Sequence, residues 1–144
     1  MLTSRTWHVR LIGTESEGPL LEEILNGFKS EIPNPKSQIQ TSIGLPLGDL
    51  MHLIASAGAV ISCDSGAAHL AAALGKPCVV LFFSTEPRST APVGFAVRTL
   101  VAHVPCSPCF LRTCPIGYIC RDAITPQDVM THLDDIFDVP VKNI

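Results

Sequence analysis

The sequence is poor in charge and in aromatic rings. Of its 144 residues 16% are charged and 6% aromatic, with a single Trp and a single Tyr. The ten Lys and Arg are scattered, so no basic stripe forms that would follow a nucleic-acid backbone. No apolar run approaches the ~20 residues that a membrane-crossing helix needs. The N-terminus lacks the layout of a signal peptide. Repeats and low-complexity tracts are missing. Three familiar loops are missing as well. There is no G-x-G-x-x-G. Gly75-Lys76 is followed by Pro77 rather than Ser or Thr, so it makes no P-loop. Ser65 does not sit in a G-x-S-x-G elbow, which argues against a serine nucleophile. These absences point to a cytoplasmic protein with neither a nucleic-acid partner nor a transmembrane segment.

What is present suits one folded domain over residues 1–144. Hydrophobic residues make up 47% and the net charge is −3, enough apolar surface for a core. Apolar runs at Trp7–Gly13, Ala59–Ser62, Cys78–Phe83 and Val97–Ala102 read as strands, and the weak alternation of Gln38–Ile43 suits a short one. Between them, Leu20–Lys29, Pro46–Ala57 and Ala67–Leu74 read as helices. Leu20, Leu21, Ile24, Leu25 and Phe28 form one expected buried stripe. Leu47, Leu50, Met51 and Ile54 form another. Gly58 is an expected helix cap. Thr125 starts a last helix at 126–137, with Pro126 at its first position and Asp128 in its first turn. Loops are expected at Glu31–Ser37, Ser84–Gly94 and Pro105–Asp122. Strands alternating with helices, and strands with unbroken apolar runs, imply an α/β fold: a parallel sheet covered by helices on both faces.

The rest of the chain frames one stretch, Cys63 to Pro77. A strand runs into it and a short Ala/Leu helix runs out. Free N–H groups and the positive end of the helix dipole meet at such a turn and attract an anion. Ser65, with the amides of Gly66, Ala67 and Ala68, is placed to cradle phosphate. Gly66 lets the backbone approach it. Asp64 can accept from a ligand hydroxyl, and His69 can donate to a phosphate oxygen. The plainer alternative has Asp64 and Ser65 only capping the helix. The loop after Phe83 follows a second strand, and Thr85 in it is a further phosphate or sugar contact. Glu15 and Glu17 follow the first strand, where a carboxylate can hold ribose hydroxyls.

Four of six cysteines, Cys106, Cys109, Cys114 and Cys120, lie within fifteen positions. Their spacing, C-x2-C-x4-C-x5-C, admits a tetrahedral zinc site or an iron–sulfur cluster. Thiols pinning a loop are the alternative. Cys63 and Cys78 read as inert core thiols. His8, His52, His103 and His132 have no ligand spacing.

Taken together these residues resemble the bacterial heptosyltransferases, glycosyltransferase family 9. Members carry a turn Asp-Ser/Thr-Gly-x-x-His-Leu-x-Ala-Ala-Leu-Gly-x-Pro, matched by Asp64 to Pro77. A strand and loop like Val79 to Pro87 follow, then Cys-x-Pro-Cys, as in Cys106 to Cys109. Phe83 stands where the family usually has glycine, a bulk that would narrow the cleft for the sugar donor. Ala91 likewise replaces a common glycine before Pro92. The resemblance implies a Rossmann-like domain, the C-terminal half of a GT-B glycosyltransferase. That half binds the nucleotide-sugar, here an ADP-heptose-like donor. Asp64 would touch the sugar, and Ser65, Gly66 and Ala67 the diphosphate with help from His69. Leu45 falls at the adenine position and Glu15 or Glu17 near the ribose. The catalytic base belongs to the other half, so no catalytic residue is expected in this chain, nor much activity alone. The implied reaction inverts the anomeric carbon without a covalent intermediate and needs no cofactor. The acceptor would be a lipopolysaccharide core, reached through that other half at the cytoplasmic face of the inner membrane. Two other readings compete. One is a metal-binding interaction module built on the cysteines. The other is a small flavodoxin-like binding domain, complete as it stands.

Overall fold

A computed structural model of the chain describes residues 7–28 and 39–138. The expected loop at Glu31–Ser37 and the expected ends at Lys29 and Gln38 lie outside these residues. By their contacts the residues group into two compact units, Met1–Leu50 and Met51–Ile144.

In the first unit β1 (Val9–Gly13) pairs in parallel with β2 (Ile39–Ile43), with Gly13 opposite Ile43. A short 3-10 turn, Glu15–Glu17, leads directly into α1 (Gly18–Phe28). That helix begins earlier than Leu20 because the turn feeds it without a break. The turn is closed by Glu17, whose Oε2 accepts from the Thr14 amide at 2.7 Å and from Thr14 Oγ1 at 2.8 Å. α1 packs on β1 and β2. Of its expected stripe only Leu21 is buried; Leu20, Ile24 and Phe28 are exposed. A sheet of two strands is too narrow to cover the whole stripe.

α2 (Leu47–Ser56) carries the boundary between the units. Ile54 is buried, whereas Leu47 and Met51 are exposed, contrary to the helical spacing. Gly58 lacks the positive φ of a left-handed cap. The helix ends instead with Ser56 Oγ donating to the Leu53 carbonyl.

In the second unit β3 (Val60–Cys63), β4 (Cys78–Phe82) and β5 (Val97–Val101) form a parallel sheet in the order β3-β4-β5. α3 (Gly66–Ala73) packs on β3 and β4, and α6 (Pro126–Asp138) packs on β4 and β5. Cys78, Val79, Val80 and Phe82 are all 0% exposed. Neighbouring strand residues point to opposite faces, so β4 is covered on both. Each such side chain contributes about 1.5–3 kcal/mol by leaving water. α3 ends in a Schellman motif. Gly75, at φ +68, donates to the Ala72 carbonyl at 3.0 Å, and Lys76 donates to the Ala71 carbonyl at 2.9 Å. Two short helices, α4 (Pro87–Thr90) and α5 (Ile119–Asp122), lie inside segments read from sequence as plain loops. α4 had a local signal: Glu86 accepts from the Arg88 amide, and Pro87 opens the helix.

Candidate functional site

The stretch Cys63–Pro77 folds as its pattern requires, strand to turn to helix to strand. Asp64 is tied to the sheet by its amide, which donates to the Leu81 carbonyl at 3.2 Å. Ser65 is extended, at φ −157 and ψ 167, and its carbonyl accepts from the Ala68 amide at 3.1 Å to start α3.

Neither side chain caps the helix. Ser65 Oγ lies 2.8 Å from Ser62 Oγ, and no cap bond runs from it to the first turn. Asp64 Oδ2 accepts from Thr90 Oγ1 at 2.7 Å, in a half-buried setting. The amides of Gly66 and Ala67 therefore find no acceptor among the described residues. His69 stands exposed on the first turn. Gly66 is not demanded by the fold. Its φ is not positive, and a Cβ added there would meet nothing within 4 Å. Space is open where a ligand would approach.

The loop after β4 joins the turn through Thr90. A cleft of about 340 Å³ lies between this loop and the segment that follows β5, lined by Thr85, Glu86, His103 and Ser107 among others. Thr85 thus lines this cleft, one part of the ligand edge of a parallel sheet. Ser107 Oγ donates to the Phe83 carbonyl at 2.7 Å, and the Phe110 amide donates to the Ser84 carbonyl at 2.8 Å. These bonds fasten the cysteine segment to the loop. Sequence reasoning missed Thr90 and Ser107, whose partners lie 26 and 24 positions away.

In the first unit, the parallel register brings the ends of β1 and β2 together, and the Gly44 amide donates to the Gly13 carbonyl at 3.0 Å. Glu15 lies against Gly44: a Cβ there would come 2.8 Å from Glu15 Cγ. Leu45 follows and is half-buried. Glu17 is engaged with Thr14, whose amide and hydroxyl hold its carboxylate below the usual range. Of the two acidic candidates only the Glu15 carboxylate has no hydrogen-bond partner among the described residues, its backbone carbonyl accepting from the Gly18 amide.

The cysteines do not gather. Among the described residues no three of His, Cys, Asp or Glu form a metal-holding group. The zinc or iron–sulfur site expected on Cys106, Cys109, Cys114 and Cys120 finds no such group here. The chain turns sharply at Phe110, Gly117 and Tyr118, all at positive φ, and Cys114 Sγ accepts from the Tyr118 amide at 3.2 Å. Hydrogen bonds of Ser107, Phe110 and Tyr118 hold the segment.

Comparison with known proteins agrees with this arrangement. The model of glycosyltransferase family 9 (heptosyltransferase) matches residues 1–119, and the chain belongs to that family. It is 28% identical to lipopolysaccharide heptosyltransferase 1 of Pseudomonas aeruginosa, over 96% of this chain and 41% of that protein. It is 31% identical to lipooligosaccharide heptosyltransferase 2 of Haemophilus influenzae, over 65% of this chain and 27% of that protein. Among solved structures, ADP-heptose LPS heptosyltransferase II of E. coli aligns with TM-score 0.69 at 26% identity, over 90% of this chain and 36% of that one. A family 9 glycosyltransferase of Veillonella parvula aligns with TM-score 0.67 at 15% identity, over 88% of this chain and 35% of that one, a likeness of fold. The chain thus spans less than half the length of these relatives.

Proposed function

We propose that this chain is the sugar-donor-binding half of an inverting heptosyltransferase acting in lipopolysaccharide core assembly. The observation that carries the reading is Gly66. Backbone geometry and packing leave its missing side chain unexplained, and the bare amides of Gly66 and Ala67 stand beside it. An anion that must come close to the backbone accounts for both.

In this reading the amides of Gly66 and Ala67, with Ser65 beside them, receive the diphosphate of an ADP-heptose-like donor, and His69 adds a proton donor; the Ala68 amide, named with them from sequence, is taken by the Ser65 carbonyl. Asp64 accepts from a sugar hydroxyl. Thr85 offers a further polar contact. An acceptor hydroxyl, deprotonated by a base outside this chain, attacks the anomeric carbon. The new C–O bond forms as the bond to ADP breaks, and the configuration inverts. The negative charge that develops on the departing diphosphate is met by fixed amides and the α3 dipole. This half therefore binds and stabilises, and transfers little alone. No described helix is long and apolar enough to cross a membrane; a cytoplasmic enzyme acting at the inner-membrane face fits that observation.

Calorimetric titration of the chain with ADP tests the reading. Gly66→Val should weaken ADP binding at least tenfold, whereas Gly66→Ala should leave the melting temperature within about 1 °C, because its Cβ meets nothing within 4 Å. Equal affinity in the variant and the parent, or no ADP binding by the parent, overturns the reading.

A further inference from the structure

Asp64 and Thr90 meet across two loops, and we infer that Thr90 is a positioning residue. Its hydroxyl holds the Asp64 carboxylate in one rotamer, so that Oδ1 is presented to a hydroxyl of the bound sugar. The inference rests on the donor-binding reading above and deepens it, because it names what sets sugar recognition.

Thr90 has one proton and two acceptors in reach, Asp64 Oδ2 at 2.7 Å and the Glu86 carbonyl at 3.3 Å. The shorter bond, to a charged oxygen, is the stronger. The proton therefore goes to Asp64. The Glu86 carbonyl is the ordinary helical back-bond that Thr would make without the carboxylate. Both ends of the contact are anchored. The Asp64 backbone continues the β3–β4 ladder through Leu81. Thr90 closes α4, where its own amide donates to the Glu86 carbonyl at 3.3 Å and the Ala91 amide donates to the Pro87 carbonyl at 2.9 Å. A β-branched side chain has little χ1 freedom. Only the Asp64 side-chain torsions remain to be set, and the Thr90 bond sets them. Oδ1 has no hydrogen-bond partner among the described residues, so one carboxylate oxygen is fixed and the other is open.

A device of this kind acts on the sugar and not on the diphosphate. Loss of the Thr90 hydroxyl should weaken an ADP-sugar while leaving ADP untouched. The test uses the whole chain with Thr90→Val, which keeps shape and branching, and Thr90→Ser, which restores the hydroxyl. ADP and ADP-glucose are titrated into each. Thr90→Val is expected to bind ADP-glucose about tenfold more weakly, ADP equally well, and Thr90→Ser to recover the loss. Equal weakening of both ligands, or weakening of neither, overturns the inference. A second readout needs no ligand. Three-bond couplings of the Asp64 side chain should report one χ1 rotamer in the parent and in Thr90→Ser, and averaging in Thr90→Val. Averaged couplings in the parent, or unchanged ones in Thr90→Val, overturn the positioning role on their own. Failure of the parent to bind ADP would sink the donor-binding reading instead.

Discussion

Ser107 Oγ donates to the carbonyl of Phe83 at 2.7 Å, joining the start of the cysteine segment to the loop that leaves β4. The Phe110 amide adds a second bond to the next carbonyl, that of Ser84, at 2.8 Å. Two bonds to successive carbonyls make a clasp, and the loop they hold carries Thr85, Glu86 and Thr90.

Opening the clasp should therefore be measurable at both ends. Ser107→Ala removes the hydroxyl and leaves the Phe83 carbonyl short of a partner, at a cost of about 1 kcal/mol. For a chain of this size that lowers the melting temperature by roughly 3 °C. The Phe110 amide should exchange its proton faster in the variant, since its neighbouring bond has gone. Unchanged exchange at Phe110 would show that the two bonds act independently.

Residues near one another in the chain were the legible ones. Gly75 and Pro77 end α3 by rules that need no tertiary contact, and the helix ends there. Thr125, Pro126 and Asp128 start α6 for the same reason. Legibility failed where the answer lay elsewhere in space. Thr90 carries no local mark of its bond to Asp64, 26 positions away. Leu20, Ile24 and Phe28 have helical spacing, yet spacing cannot say how wide a sheet the helix will meet. The four clustered cysteines had plausible ligand spacing along the chain. Spacing along the chain does not show how the segment turns, and it turns at positive φ at Phe110, Gly117 and Tyr118.

Gly44 gives a test of the first unit. It sits at φ +63 with Glu15 Cγ only 2.8 Å from where a Cβ would be. Gly44→Ala meets both a backbone penalty of about 1–2 kcal/mol and a clash that pushes Glu15 aside. Gly44→Ala should lower the melting temperature by roughly 3–6 °C. Adding Glu15→Ala, which has no Cγ, should recover the part of that loss that the clash causes. A Gly44→Ala chain that melts with the parent would mean that this turn is not held in the left-handed region.

The start of α6 should be acid-sensitive. Asp128 Oδ2 accepts from the Thr125 hydroxyl at 2.6 Å and from the Thr125 amide at 2.8 Å. These bonds, the hydroxyl foremost, hold the Asp128 carboxyl below its ordinary value. A depressed folded pKa contributes stability that is present above the unfolded value, near 4, and lost as pH falls through the folded one. Asp128→Asn cannot titrate. The parent should melt higher than Asp128→Asn at pH 7, and the gap should close as pH falls below about 4. A gap that stays constant to pH 3 would mean that the charge of Asp128 adds nothing to the cap.

The thiols make the sheet interior accessible to chemistry. Cys78 opens β4 at 0% exposure, and burial pushes its pKa up to about 11. The other five cysteines are exposed or half-buried. Thiolate is the reacting form, and at pH 7.5 roughly one Cys78 in three thousand would be ionised even if reagent could reach it. A disulfide reagent added to the reduced native chain should consume five thiols quickly and the sixth only as the β3-β4-β5 sheet opens. The slow phase should vanish in Cys78→Ala, which trades a buried sulfur for a small cavity at a cost of about 1–2 kcal/mol. Because opening limits the rate, the slow phase should stay the same when reagent is doubled and quicken in mild urea. A sixth thiol that reacts in proportion to reagent, without unfolding, would mean that β4 is not covered on both faces in solution. The packing of α3 and α6 on that strand would then need to be redrawn.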